Sequence, residues 1–178
     1  MRQILAFVLA FGSVANMAAA QMAQPGAEHK AIAQLAGNWS GQATLQFPGM
    51  EPMTSEIEVT NTMDLGGFWL LGHFEGSMMG IPFSGHSVFG FDTEKGKYVE
   101  IWVDSMRSGM SQLEGDYDAG SRKWTKWLDG KHPMTGEPIR ERHTVTLRAA
   151  DVMILELAMP GEDGEYLPYM VLEQTRAE

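Results

Sequence analysis

From Gly37 to Arg176 the chain is a succession of about ten short segments in which apolar and polar residues alternate, separated by Gly, Asp, Asn and Pro turns. In the first, Trp39, Gly41, Ala43, Leu45 and Phe47 share one face, against Ser40, Gln42, Thr44 and Gln46 on the other. Successive side chains of a strand point to opposite faces, so Trp39 is expected to point inward. The second segment places Ile57, Val59 and Met63 inside and Glu56, Glu58, Thr60 and Thr62 outside. Residues 68–74 are apolar on both faces, which leaves the register of that strand open. Further strands are predicted over 83–91, 98–104, 110–117, 123–128, 139–148, 152–159 and 167–176. Leu65-Gly66-Gly67, Asp118-Ala119-Gly120, Asp129-Gly130 and Met134-Thr135-Gly136 supply turns.

Short links favour neighbours paired in sequence order. The predicted fold is therefore all-β: an antiparallel up-and-down barrel of about ten strands, with a short N-terminal helix. A two-layer sandwich is the competing architecture, and only residues 130–138 offer the length that a crossed connection needs. The helix is predicted over 28–36, with Ile32, Leu35 and Ala36 on one face and Gly37 placed to stop it. It would cover one end of the barrel, with His29 at the surface or acting as a cap.

Residues 1–20 have the three parts of a secretory signal: Arg2, an apolar run from Ile4 to Val14, and the small residues Ala18-Ala19-Ala20. The apolar run is shorter than the roughly 20 residues of a membrane span. The reading is a signal peptide over 1–20 and a single barrel domain over 21–178, periplasmic or secreted. There is no cysteine, so the domain is held by its core and not by disulfides. The chain carries 13 Lys and Arg against 23 Asp and Glu, a formal net charge of −10, and loss of Arg2 would make the remainder one unit more acidic. Nucleic acid and anionic surfaces are poor partners for such a chain.

Several pieces together carry a family resemblance. They are His29 with Leu35, Ala36-Gly37 and Trp39; Gly90-Phe91-Asp92 followed by Lys97-Tyr98; Trp102-Val103-Asp104-Ser105; and Leu65-Gly66-Gly67, Met79-Gly80-Ile81-Pro82-Phe83 and Pro133-Met134-Thr135-Gly136. In order and spacing they resemble the bacterial exported family catalogued as domain of unknown function 1579, which brings no activity with it. More distantly, Gly37-x-Trp39 is similar to the opening of lipocalins and other calycins. That resemblance implies that Trp39 closes one end of the barrel beneath a basic side chain near the last strand, and Arg176 stands in position for the role. It also includes nitrobindin-like barrels that hold haem through a histidine, a part that would fall to His143 or His86. Neither lies in a recognisable haem motif.

A barrel of this size can enclose a small molecule, and burial of its apolar surface would drive binding. Tyr98, Glu100, Trp102 and Asp104 share one strand face, and Val99, Ile101 and Val103 the other. If the first face is internal, an aromatic wall with a carboxylate would orient a ligand bearing a donor or a cation; the β-branched face is the more ordinary lining. Trp69, Trp102 and Asp104 are the candidate ligand-lining residues. His73, His86 and His143 fall on three strands without a metal-binding spacing, and no metal or cofactor is assigned. The 14 methionines form no dense Met-x-Met array, which leaves core filling and a pliable portal as their roles. Arg140 and Arg142 are expected outward, beside acids, with His143 inward. No activated nucleophile is recognisable, and Asp104, Glu114 and Glu156 are the carboxylates from which an acid–base pair would be drawn, so no catalytic residue is assigned. The alternative to a ligand carrier is an envelope interaction module anchored by Trp124 or Trp127, which lie on opposite faces of one strand.

Overall fold

The computed structural model describes residues 24–132 and 135–177. The predicted signal segment, Pro133 and Met134 lie outside them.

The sequence alternation resolves into ten strands: β1 (Gly37–Leu45), β2 (Met53–Asp64), β3 (Trp69–Met78), β4 (Ile81–Asp92), β5 (Lys97–Asp104), β6 (Ser111–Asp118), β7 (Lys123–Lys131), β8 (Pro138–Leu147), β9 (Val152–Pro160) and β10 (Tyr166–Arg176). Each pairs antiparallel with the next, and β10 returns to β1, closing the barrel. Trp39 lies opposite Arg176 and Leu45 opposite Met170 across that seam. Closure removes every sheet edge, and the sandwich alternative is set aside.

One end of the barrel is solid. Trp39 and Trp124 are both fully buried, and with Val59, Leu70, Phe89, Tyr98, Leu147 and Met153 they fill this half. The helix α1 (Ala27–Ala33) plugs it, burying Ile32 with Leu35 just beyond. His29 is buried as well: its Nδ1 accepts from the Gly26 amide at 3.0 Å, and its ring meets Phe68 and Phe91 edge-on. It caps the helix from within rather than from the surface.

The helix stops three residues short of the predicted 36 because its end tightens, the amides of Gln34, Leu35 and Ala36 donating to the carbonyls of Ala31, Ile32 and Ala33, three residues back. Trp39 Nε1 and Asn61 Nδ2 both donate to the Leu35 carbonyl, at 2.9 and 3.1 Å. Arg176 donates to the carbonyls of Ala36 and Gln34 and to that of Ala150. Its guanidinium lies 4.2 Å from the centre of the Trp39 ring. The calycin-like closure implied by Gly37-x-Trp39 and Arg176 is present.

Candidate functional site

The other end of the barrel is open. Between the packed half and the loops that follow β1, β3, β5, β7 and β9 lies a cavity of about 390 Å³, within the range of small-molecule sites. Its apolar wall includes Leu45, Ile57, Phe74, Phe83, Leu155, Leu157 and Leu172. Met78, Met79, Met106 and Met170 also line it. Met79 and Met106 are about half exposed, so flexible thioethers stand where the cavity meets solvent.

The polar groups of the cavity come mainly from β5, β7, β8 and β10. The face of β5 that carries Tyr98, Glu100, Trp102 and Asp104 is the internal one, and Ile101 and Val103 are about 40% exposed outside. The preference for a β-branched lining is overturned here, because β7 supplies the counter-charge that an internal Glu100 needs. The ammonium of Lys126, only 2% exposed, pairs with Glu100 and sits 4.3 Å above the Phe89 ring. This buried pair helps form the floor of the cavity.

Trp102 and Asp104 stand at the open end on the same wall, and Trp102 Nε1 donates to Asp104 Oδ2 at 2.8 Å. The indole rests on Gly85, where any Cβ would collide with it, and it meets Phe74 edge-on and Phe83 in a stack. Asp104 also accepts from the Met106 amide and faces Arg107 Nε at 3.5 Å, while Arg107 bonds Ser111. Two of the three candidate lining residues thus come together.

Trp69 does not join them. Leu70, Gly72 and Phe74 are the inward positions of β3, which puts Trp69 on the outer surface with its indole over Gly90. With both faces of β3 apolar, its phase could not be read locally.

Across the cavity, β8 presents Glu141 and His143. Glu141 Oε2 takes a hydrogen bond from the Tyr169 hydroxyl at 2.6 Å and lies 3.2 Å from His143 Nε2. Tyr169 reaches it through an irregularity in β10, where the register with β9 shifts between Pro168 and Met170. Burial pushes the Glu141 carboxyl up, but the bonds from His143 and Tyr169 outweigh it and hold the group below its ordinary range. Burial and the neighbouring carboxylate push the Tyr169 phenol well above its ordinary value. Glu141 is therefore an anion at neutral pH and Tyr169 a neutral donor. The sequence had marked His143 as inward; Glu141, on the same face, and Lys126, Arg107 and Tyr169 carried no local signal.

The remaining candidates face outward. Arg142 pairs with Glu156 at 3.3 Å and Arg140 with Asp129 at 3.6 Å, as expected. Glu114 is held by Lys95 on the outer surface, so Asp104, Glu114 and Glu156 do not converge. Trp124 is internal and Trp127 external, the latter flanked by Tyr166 and by the Arg140 guanidinium 5.2 Å from its ring. His73 and His86, unlike His143, lie together on the outside of β3 and β4.

Fold and site together define an up-and-down β-barrel plugged by a helix at one end and hollow at the other. The chain belongs to the family described as "Protein of unknown function (DUF1579)", whose model matches residues 24–176. Among solved structures it is similar to Rv2717c from M. tuberculosis, with a TM-score of 0.63 and 16% identity, over 86% of this chain and 99% of that one. It is also similar to the S-type phycobiliprotein lyase CPES from Guillardia theta, with a TM-score of 0.53 and 10% identity, over 86% and 99% of the two chains. At these identities the likeness is one of fold. No curated protein matches the sequence.

Proposed function

We propose that the protein binds one small amphipathic molecule in the hollow half of the barrel. The observation that carries this reading is a mainly apolar cavity of about 390 Å³ with two fixed carboxylates, Asp104 and Glu141, among its lining. The apolar body of the ligand lies against Phe74, Phe83, Leu155, Leu157 and the methionines, contributing about 25 cal/mol per Å² removed from water. Its polar head carries a hydrogen-bond donor or a positive charge. Of the three acids lining the cavity, Glu100 is matched by Lys126, while Arg107 faces Asp104 and also acts on Glu141, whose direct partners are His143 and Tyr169. Three carboxylates against two fixed cations, Lys126 and Arg107, leave the lining one negative charge in excess, which favours a cationic head over an anionic one.

A titration with N-phenyl-1-naphthylamine tests this, followed by displacement with an alkylamine and an alkyl carboxylate of equal length. One probe is expected per chain, displaced at least tenfold better by the amine, with binding abolished by Leu155→Trp, which fills the cavity. A barrel that takes up no probe, or that prefers the carboxylate, contradicts the reading. The reading of residues 1–20 as a signal supports a site of action outside the cytoplasm; N-terminal sequencing of the protein from the periplasmic fraction should then begin near Gln21.

A further inference from the structure

The hairpin of β3 and β4 turns on two residues, Met79 and Gly80, with φ of 52° and 77°. Positive φ at both positions is the signature of a tight type I′ turn, which fixes the register of the two strands. Met78 then pairs with Ile81 and, five residues further along each strand, His73 with His86. The two imidazoles stand side by side on the outer surface, away from the cavity, with ring centres 4.5 Å apart.

His73 Nδ1 lies 3.3 Å from both ring nitrogens of His86. Equal distances place His73 Nδ1 midway between the two His86 nitrogens, so neither nitrogen is aimed at it as in a good hydrogen bond. The separation suits another use. Two nitrogens each about 2.0–2.1 Å from a tetrahedral ion lie about 3.3–3.4 Å apart. A turn about the terminal torsion of His86, a broad and roughly two-fold coordinate, would aim one nitrogen at the shared position.

Glu75 supplies the outer support of such a site. Its Oε1 is 3.2 Å from His73 Nε2. A carboxylate only accepts, so Nε2 carries the proton and, in the neutral ring, Nδ1 keeps its lone pair facing His86. That is the carboxylate–histidine arrangement that orients metal-ligating imidazoles. The surrounding field is negative: Glu58 lies directly across from Glu75, and β2, β3 and β4 contain no lysine or arginine.

We infer that His73 and His86 form a surface site for a divalent late transition-metal ion, Zn²⁺ or Cu²⁺, with Glu75 orienting His73 and solvent completing the coordination. Among the described residues no group of three His, Cys, Asp or Glu side chains is arranged to hold a metal. This site has two protein ligands and is accordingly an exchangeable one, separate from the ligand cavity.

Isothermal titration of the tag-free protein with Zn²⁺, and electron paramagnetic resonance with Cu²⁺, test it. One ion per chain is expected, with nitrogen coupling in the Cu²⁺ spectrum. His73→Gln and His86→Gln should each weaken binding at least tenfold, and Glu75→Gln by about tenfold. All three side chains are on the surface, and circular dichroism checks that the barrel is retained. Saturable one-to-one binding that survives in the His73→Gln/His86→Gln double variant, or no such binding by the unaltered protein, overturns the assignment.

Discussion

Trp102 and Asp104, two residues apart on the same face of β5, are joined through the indole Nε1 and Oδ2 at 2.8 Å, so the wall of the cavity itself fixes the carboxylate at its open end. The bond has a price in specificity of sequence: Gly85 must stay small for the indole to lie where it does. Replacing Trp102 by Phe keeps an aromatic wall and removes the donor. It should cost about 1 kcal/mol of stability and weaken alkylamine binding several-fold, measured by urea unfolding and probe displacement.

At the plugged end, Arg176 stacks on Trp39 and donates to three carbonyls. Arg176→Ala should lower stability by about 2 kcal/mol, since hydrogen bonds from a charged group and a cation–π contact are lost together. Arg176→Lys restores only part of this, because an ammonium cannot reproduce the planar fork. Ligand affinity should be unchanged in both variants, since the cavity lies at the other end.

Lys126 and Glu100 form an ion pair with little access to water. Lys126→Met leaves Glu100 buried without its partner and should cost about 3–5 kcal/mol, whereas the Lys126→Met/Glu100→Met double variant should recover most of that loss. A double-mutant cycle by chemical denaturation measures it.

The titrating groups set both limbs of the stability profile. Glu141 has a lowered folded-state pKa, so its contribution is present above the unfolded value of about 4.3 and is lost as pH falls through the lower folded one. Tyr98 is pushed up to about 12, chiefly by burial and further by Glu28 and Tyr117, and Tyr169 is raised as well. An unfolded tyrosine ionises near pH 10, about where the native phenols still hold their protons. The tyrosines' contribution is therefore full below about pH 10, and that of Tyr98 is lost as pH rises through about 12. Thermal unfolding across pH should show both limbs, and Tyr98→Phe should flatten the alkaline one.

What the sequence made legible follows from how local each signal is. Strand positions and closure were readable because period-two alternation and short turns are local, and Gly37-x-Trp39 with Arg176 marked the seam. The internal face of β5 was not, since burying Glu100 depends on Lys126, 26 residues away. Trp69 was misplaced because β3 is apolar on both faces, and the room for its indole comes from Gly90 on the next strand. Tyr169 reaches the cavity only through the register shift in β10. The His73–His86 pairing had a usable signal in Met79-Gly80: taken as a two-residue turn, it sets the register by itself.

The most direct test of the account is native mass spectrometry of the protein isolated from its own host without organic solvent, before and after unfolding. The account predicts a population carrying one non-covalent small molecule that is released on unfolding and missing from Leu155→Trp. A bare polypeptide mass, or the same adduct on Leu155→Trp, would contradict it.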